Sequence, residues 1–426
     1  MSPGGIALII TALMLVMFIA QVFPLAVTAL LAAFAMAALD LIKINTIMTQ
    51  FGTSMVFAVA GMMVVGSALF ETGLAQLICN KMLGRAQRSR KVFIIMLLTA
   101  ITLFSAFLSN TTTAAMFIPV VAGVVATSHN KNITIKNSFI LIGYAAGLGG
   151  CMTLMGSPSQ HQLAAKLLEA NGLEQYGFFY GVRGTIVLLA VMILYFIFIG
   201  DRIMDKKFDF EEAEIEVNHN IATANKTPKD IFRMVMAGII MVGCVVSIAM
   251  KWVSSGGGAL IGATAVVVFG CIEPKKALQS IHMDVVILLA ALLAVSDGFN
   301  ESGAGEMCVN FIFGLFGENA SPFVLYAVVV LVSVLLTNII DNIAAQALIG
   351  PIAIAIALRT GINPTTMVFS VLAGCNVAYL TPISTPCITM TLSGGYRFKD
   401  YMTVGWALSL VSYIAILAVF PLMYGF

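Results

Sequence analysis

Four short polar clusters lie inside long apolar stretches of this 426-residue chain, and they are the residues whose types could do chemistry. Ser109-Asn110-Thr111 sits at the centre of the stretch 91–127, and Asp341-Asn342-Ile343 at the centre of 322–358. Each stretch is followed by an apolar segment broken by small residues and proline, Gly156-Ser157-Pro158 in 138–168 and Ser384-Thr385-Pro386 in 365–392. Asparagine, carboxylate and hydroxyl groups at bilayer depth cost several kcal/mol unless a partner satisfies them. What such groups do well is ligate. Their oxygens suit a hard cation such as sodium, and helix amides freed at a break suit an anion. Ser, Asn, Thr and Asp are also favoured at the first position of a helix, so the clusters fit places where a helix restarts.

The elements that must position them follow from length and hydropathy. With 60% hydrophobic and 10% charged residues and a mean hydropathy of +1.01, the chain is expected to be an all-α polytopic membrane protein. Ten apolar runs near 5–22, 24–41, 53–70, 139–155, 182–200, 231–250, 258–272, 284–298, 366–392 and 403–424 are candidate transmembrane helices. The stretches 91–127 and 322–358 come in addition. A continuous helix over 91–127 would run roughly 55 Å, nearly twice a hydrocarbon core of about 30 Å. Each is therefore expected to fold back as a re-entrant helical hairpin, with its polar tip at the midplane and the broken helices opposite.

Features recur in order. Glu71-Thr72-Gly73 aligns with Glu301-Ser302-Gly303, Asn110 and Pro119 with Asn342 and Pro351, and Pro158 with Pro386, at offsets of 230, 232 and 228. Counting crossings, each half enters the membrane from the opposite side, which predicts two inverted-topology repeats, residues 1–200 and 231–426. The hydrophilic stretch 201–230, with Glu211, Glu212, Glu214 and Glu216, is expected to link them as a solvated cytoplasmic segment. The segments 74–84 and 304–316 read as interfacial amphipathic arms.

Basic residues set the orientation. Loops at 71–91, 128–137, 201–233, 273–282 and 393–402 hold 17 of the 22 lysines and arginines, so both termini are expected outside a plasma membrane, the inner membrane of a bacterium. No Lys or Arg precedes the first span, which reads as a permanent helix rather than a signal peptide. The near-neutral net charge of +2, carried in short loops, points to no nucleic-acid partner. Seven cysteines without CxxC spacing indicate neither a disulfide framework nor a zinc site. No HExxH or GxSxG is present and Ser109 has no matching histidine, so the chain is not expected to be an enzyme. His161 reads as a packing or hydrogen-bonding residue, and Asp284 and Asp297, at opposite ends of one span, as interfacial.

Doubled tips and breaks predict two equivalent sodium sites with room between them for an anion, and hence a transporter. The residues also resemble a known family. Phe107-Leu108-Ser109-Asn110-Thr111-Thr112-Thr113-Ala114-Ala115-Met116 with Pro119, Gly149-Gly150 with Thr153 to Pro158, Leu380 to Pro386, and Gly395 to Asp400 are similar to signatures of the divalent-anion:sodium symporters of the ion transporter superfamily. That resemblance, over roughly residues 51–426, implies a homodimer, an elevator-type alternating-access mechanism and sodium-coupled symport of a di- or tricarboxylate or sulfate-like anion. By position it implies one sodium site at Ser109, Asn110, Gly156 and Ser157, a second at Asp341, Asn342, Ser384 and Thr385, and substrate contacts from Asn110, Thr111, Asn342 and Pro386. Two places depart from the pattern. The family's second tip usually reads Ser-Asn-Thr where this chain has Asp341-Asn342-Ile343, and Ser157-Pro158-Ser159-Gln160 stands for Thr-Pro-Pro-Asn. A carboxylate about 5 Å from an anion, at an effective dielectric near 20, repels it by roughly 3 kcal/mol unless a cation or proton intervenes. The alternative expectation is therefore a sodium/proton antiporter on the same fold, with Asp341 the exchanging group.

Overall fold

The computed structural model describes residues 2–20, 22–78, 89–128, 130–210, 227–316, 321–382 and 384–426, which form helices and connections and, among the described residues, no strand. Seven described helices are long and apolar enough to cross a membrane. Pro3–Ala20, Pro228–Ala249 and Phe398–Tyr424 are single unbroken examples. The outward face of Pro228–Ala249 carries Ile231, Phe232, Val235, Ile239, Val242 and Val246, all exposed, a surface suited to acyl chains.

The runs expected to span at 24–41 and 258–272 are shorter than a crossing: Leu25–Ala38 and Ser255–Val268 have 14 residues each, about 21 Å. The reason is local. Asp40 (φ 57°) and Gly270 (φ 67°) take the left-handed conformation just past these helices and end them. Gly73 (φ 74°) and Gly303 (φ 75°) do the same after Ser54–Glu71 and Met283–Glu301.

Both interrupted stretches fold back. Arg90–Ser105 and Asn110–Thr127 are joined by a four-residue turn, and Phe104 and Phe117 from the two arms meet edge to face at 5.8 Å, which a straight helix would forbid. Pro322–Thr337 and Asn342–Thr360 make the second hairpin, with its arms packed together. The broken segments are Phe139–Gly149 followed by Pro158–Ala170, and Pro364–Cys375 followed by Pro386–Thr389 and the 3₁₀ turn Met390–Gly394. Proline at the first turn starts the second piece of each and forces the residue before it out of helix: Ser157 (φ −129°, ψ 73°) and Thr385 (φ −147°, ψ 143°) are extended.

Equivalent hydroxyls tie each turn to its break. Ser105 Oγ donates to the Ala146 carbonyl (2.7 Å) and Thr153 Oγ1 to that of Ala106. In the second half Thr337 Oγ1 donates to the Cys375 carbonyl (2.5 Å) and Thr381 Oγ1 to that of Asn338 (2.8 Å). These four bonds satisfy carbonyls that end helices inside the membrane, where water cannot. Buried tyrosines are likewise paired, Tyr144 with the Tyr379 carbonyl (2.7 Å) and Tyr195 with that of Val404 (2.6 Å).

The linker is shorter than the expected 201–230. Asp201–Lys207 is helical, because Arg90 pairs with Asp201 and, through both guanidinium nitrogens, with Asp205 (2.7 and 2.9 Å). Pro228 opens the next helix behind a capping box of Thr227 and Asp230. Glu211, Glu212, Glu214 and Glu216 lie outside the described residues. The arm 304–316 is the helix Ala304–Phe316, whereas that at 74–84 is described only to residue 78. Asp297, at the far end of Met283–Glu301, is 18% exposed; it bonds Lys166 (2.8 Å) and accepts from Gln50 Nε2 (2.7 Å), joining the first broken helix to two others.

Candidate functional site

The helical ends created by the turns and breaks converge on one cavity of about 440 Å³. Ser109, Asn110 and Thr111 reach it from the first tip, Gly156, Ser157 and Pro158 from the first break, Asp341, Asn342 and Ile343 from the second tip, and Thr385 and Pro386 from the second break. Nine of the ten residues singled out as ligands in the sequence therefore line it. Ser384 does not: its hydroxyl is turned to the carbonyls of Ala378 (3.3 Å) and Thr381 (3.1 Å).

Each tip restarts its helix as the residue types require. Ser109 Oγ accepts from the amide of Thr112 (3.2 Å) and shares a bond with its hydroxyl (2.7 Å). Asp341 Oδ1 accepts from the amides of Ile343 (2.8 Å) and Ala344 (3.4 Å). Capping and lining are compatible, since a carboxylate carries two oxygens and a hydroxyl two lone pairs.

The tip asparagines are oriented by what they donate to. In the orientation that satisfies it, Asn110 Nδ2 faces Ser105 Oγ (2.9 Å) and the carbonyls of Ala146 (3.1 Å) and Gly156 (3.2 Å). Asn342 Nδ2 faces Asn376 Oδ1 (3.3 Å) and Gln160 Oε1 (3.4 Å). Both nitrogens are spent inside the protein, so the carboxamide oxygens are the atoms left for a ligand. Neutral and anionic oxygens at four helix ends can ligate a cation, and the amides that begin the same helices can offer an anion partial positive charge.

Three polar lining residues were not foreseen as such. Asp284 and His282 reach the cavity from the start of Met283–Glu301, and Ser159 from the first break. Asp284 by itself reads only as lying at the end of a span, and its place on the cavity comes from neighbours far away in the sequence. Among the described residues lining the cavity are two carboxylates and no lysine or arginine. His161 is fully enclosed, bonded through Nδ1 to the Tyr176 hydroxyl (2.9 Å) and through Nε2 to the Gly150 carbonyl (3.2 Å).

Glycine is required where the break meets the tip. A Cβ on Gly150 would lie 2.6 Å from the Asn110 carboxamide, and one on Gly156 2.5 Å from the Ser105 carbonyl. Gly150→Ala is expected to push the Asn110 carboxamide out of place and to cost about 1–3 kcal/mol of stability, measured as a fall in the melting temperature of the purified protein.

Paired hairpins, paired broken helices and a single polar cavity between them, in an apolar helical body, define a membrane transporter. The chain belongs to the CitMHS family, described as citrate transporter, which it matches over residues 14–374 and 248–426. It is 27% identical to an uncharacterized transporter of Haemophilus influenzae, over 97% of this chain and 90% of that one. It is 23% identical to the sodium-dependent dicarboxylate transporter SdcS of Staphylococcus aureus, over 98% and 85% of the two chains. A sodium-dependent high-affinity dicarboxylate transporter of Caenorhabditis elegans shares 23% identity, over 93% and 79%. Among solved structures, the Alcanivorax borkumensis YdaH transporter is alike in fold, with a TM-score of 0.66 and 13% identity over 96% of this chain and 98% of that one.

Proposed function

We propose that this protein carries a small di- or tricarboxylate across the membrane together with sodium. The observation that carries the reading is the single cavity into which both tips and both breaks project oxygen ligands and helix amides. The printed activity of the Staphylococcus and Caenorhabditis relatives supports the same cargo and ion. One sodium ion belongs at Ser109, Asn110, Gly156 and Ser157. A second belongs at Asp341, Asn342, Thr385 and the backbone of Ser384. The anion lies between them against Asn110, Thr111, Asn342 and Pro386, neutralised by the ions, since no lysine or arginine is among the described residues that line the cavity.

The duplicated order of helices and the matching hydroxyl bonds support two inverted repeats, 1–200 and 231–426. With both termini outside, the starts of Leu25–Ala38 and Met283–Glu301 lie at the cytoplasm. The cavity borders these starts, at Pro24 to Ala26 and His282 to Leu288, and so faces inward. An elevator step in a homodimer would carry the hairpins and broken helices outward past them.

Asp341 and Asp284 on one cavity favour a second reading, sodium/proton exchange on the same fold. A thermal-shift screen of succinate, citrate, sulfate and phosphate, with and without sodium, separates the two. Symport predicts that a carboxylate raises the melting temperature only when sodium is present. Stabilisation by sodium alone, indifferent to every anion, supports exchange.

A further inference from the structure

Gln160 is fully buried beside the cavity and does not line it. Its carboxamide oxygen receives three donors: Ser157 Oγ at 2.8 Å, Asn376 Nδ2 at 2.9 Å and Asn342 Nδ2 at 3.4 Å. Its nitrogen lies 3.5 Å from the Asn342 carbonyl, and its own backbone carbonyl accepts from Gln346 Nε2 at 2.8 Å. Ser157 belongs to the first break, Asn342 to the second tip, and Asn376 to the second broken helix, where it also accepts from Asn342 (3.3 Å) and donates to the Leu372 carbonyl (2.9 Å). One oxygen thus joins elements far apart in the sequence.

We propose that Gln160 is a positioning residue that turns ligand oxygens of both half-sites toward the cavity and thereby couples the two sodium ions. The proposal rests on the sodium-symport reading above. A carbonyl oxygen has two lone pairs, and three donors leave none of it for an ion. Gln160 acts instead on its donors. Drawing the Ser157 hydroxyl hydrogen inward leaves the oxygen's lone pairs facing the cavity. Drawing the Asn342 nitrogen inward, together with Asn376, leaves the carboxamide oxygen on the other side. The same acceptor therefore sets a ligand of the first sodium site and a ligand of the second. A shift of Gln160 that tightens one bond loosens the other, so occupancy of one site is felt at its neighbour.

The link belongs to one half only. Three residues after Thr385, which stands where Ser157 does, the chain has Ile388, and the Thr385 hydroxyl is paired with Cys387 Sγ (3.2 Å) instead. The direct bond between the half-sites has no counterpart in the other half, so one substitution tests it.

The test is a sodium titration of labelled succinate uptake into proteoliposomes carrying the full-length chain. Wild type is expected to give a sigmoidal curve. Gln160→Met fills the same volume without an acceptor. It is expected to lower the Hill coefficient toward the value for two independent ions and raise half-saturating sodium roughly fivefold to tenfold, with the succinate KM at saturating sodium within about twofold of wild type. Gln160→Asn, one methylene too short to serve both donors, gives the same result and stands in should the first variant not fold. A lower maximal rate with the shape and midpoint of the sodium curve unchanged marks a role in folding only and overturns the proposal. Sodium-independent uptake by wild type overturns the symport reading itself, and the coupling with it.

Discussion

Asn110→Ala and Asn342→Ala are each expected to abolish transport, lowering initial uptake of labelled dicarboxylate about 100-fold or more. Each asparagine supplies an oxygen at a tip and satisfies buried acceptors behind it, the Ala146 and Gly156 carbonyls for Asn110 and Gln160 with Asn376 for Asn342. Truncation removes the ligand oxygen and takes the donor from one buried acceptor, the Gly156 carbonyl for Asn110 and Asn376 Oδ1 for Asn342, at about 1–3 kcal/mol. A factor of ten is about 1.4 kcal/mol, so one stranded group and one lost ligand suffice. The fold is expected to survive. Thr153 to Ala106 and Thr381 to Asn338 hold the turns against the breaks independently of either carboxamide. Monodisperse protein on size exclusion with uptake at background is the predicted pair of results; normal uptake by either variant removes that tip from the site.

Asp341→Asn is expected to have the next largest effect, and it acts through charge. An asparagine keeps the side-chain oxygen that caps Ile343 and Ala344, so the start of Asn342–Thr360 stays in place. What is lost is a negative charge beside the second sodium site. At 4 Å and an effective dielectric of 20 a unit pair is worth about 4 kcal/mol. Solvent and the remaining ligands share that sum, and half-saturating sodium is expected to rise about tenfold to a hundredfold. Sodium-driven succinate uptake recovers at high sodium under the symport reading. Under exchange, both sodium transport and the proton movement recorded by an internal pH dye vanish at every sodium concentration.

The tips and breaks were legible because they break a rule that the rest of the chain obeys. Asn110 and Asn342 are polar groups in the middle of stretches too long for one crossing, and Pro158 and Pro386, each behind a small polar residue, mark a place where a helix restarts. Glu71-Thr72-Gly73 and Glu301-Ser302-Gly303 announced their left-handed ends in the same way, since glycine takes positive φ without strain. Asp40 did not, because nothing in its own identity marks it until Gly270 in the matching place is noticed.

The partners of charges near helix ends were not legible for a different reason. Asp284 and Asp297 bound an apolar span, and position along a helix does not say whether that end meets water, a cavity or a cation. The structure puts one on the cavity and gives the other Lys166 and Gln50. Ser384 shows the converse limit: a hydroxyl at the right depth can rotate to a backbone carbonyl instead of a ligand. Gln160 carried a signal, a polar residue three positions after the serine of a break, but its three donors come from segments that only the fold brings together.

The most direct test is uptake of labelled succinate and citrate by proteoliposomes under an imposed inward sodium gradient, against potassium and against a pH gradient alone. Accumulation of a carboxylate that needs the sodium gradient, and that stops when a sodium ionophore collapses it, is the predicted result. Carboxylate entry indifferent to sodium, or proton efflux on sodium addition with no anion carried, contradicts the account.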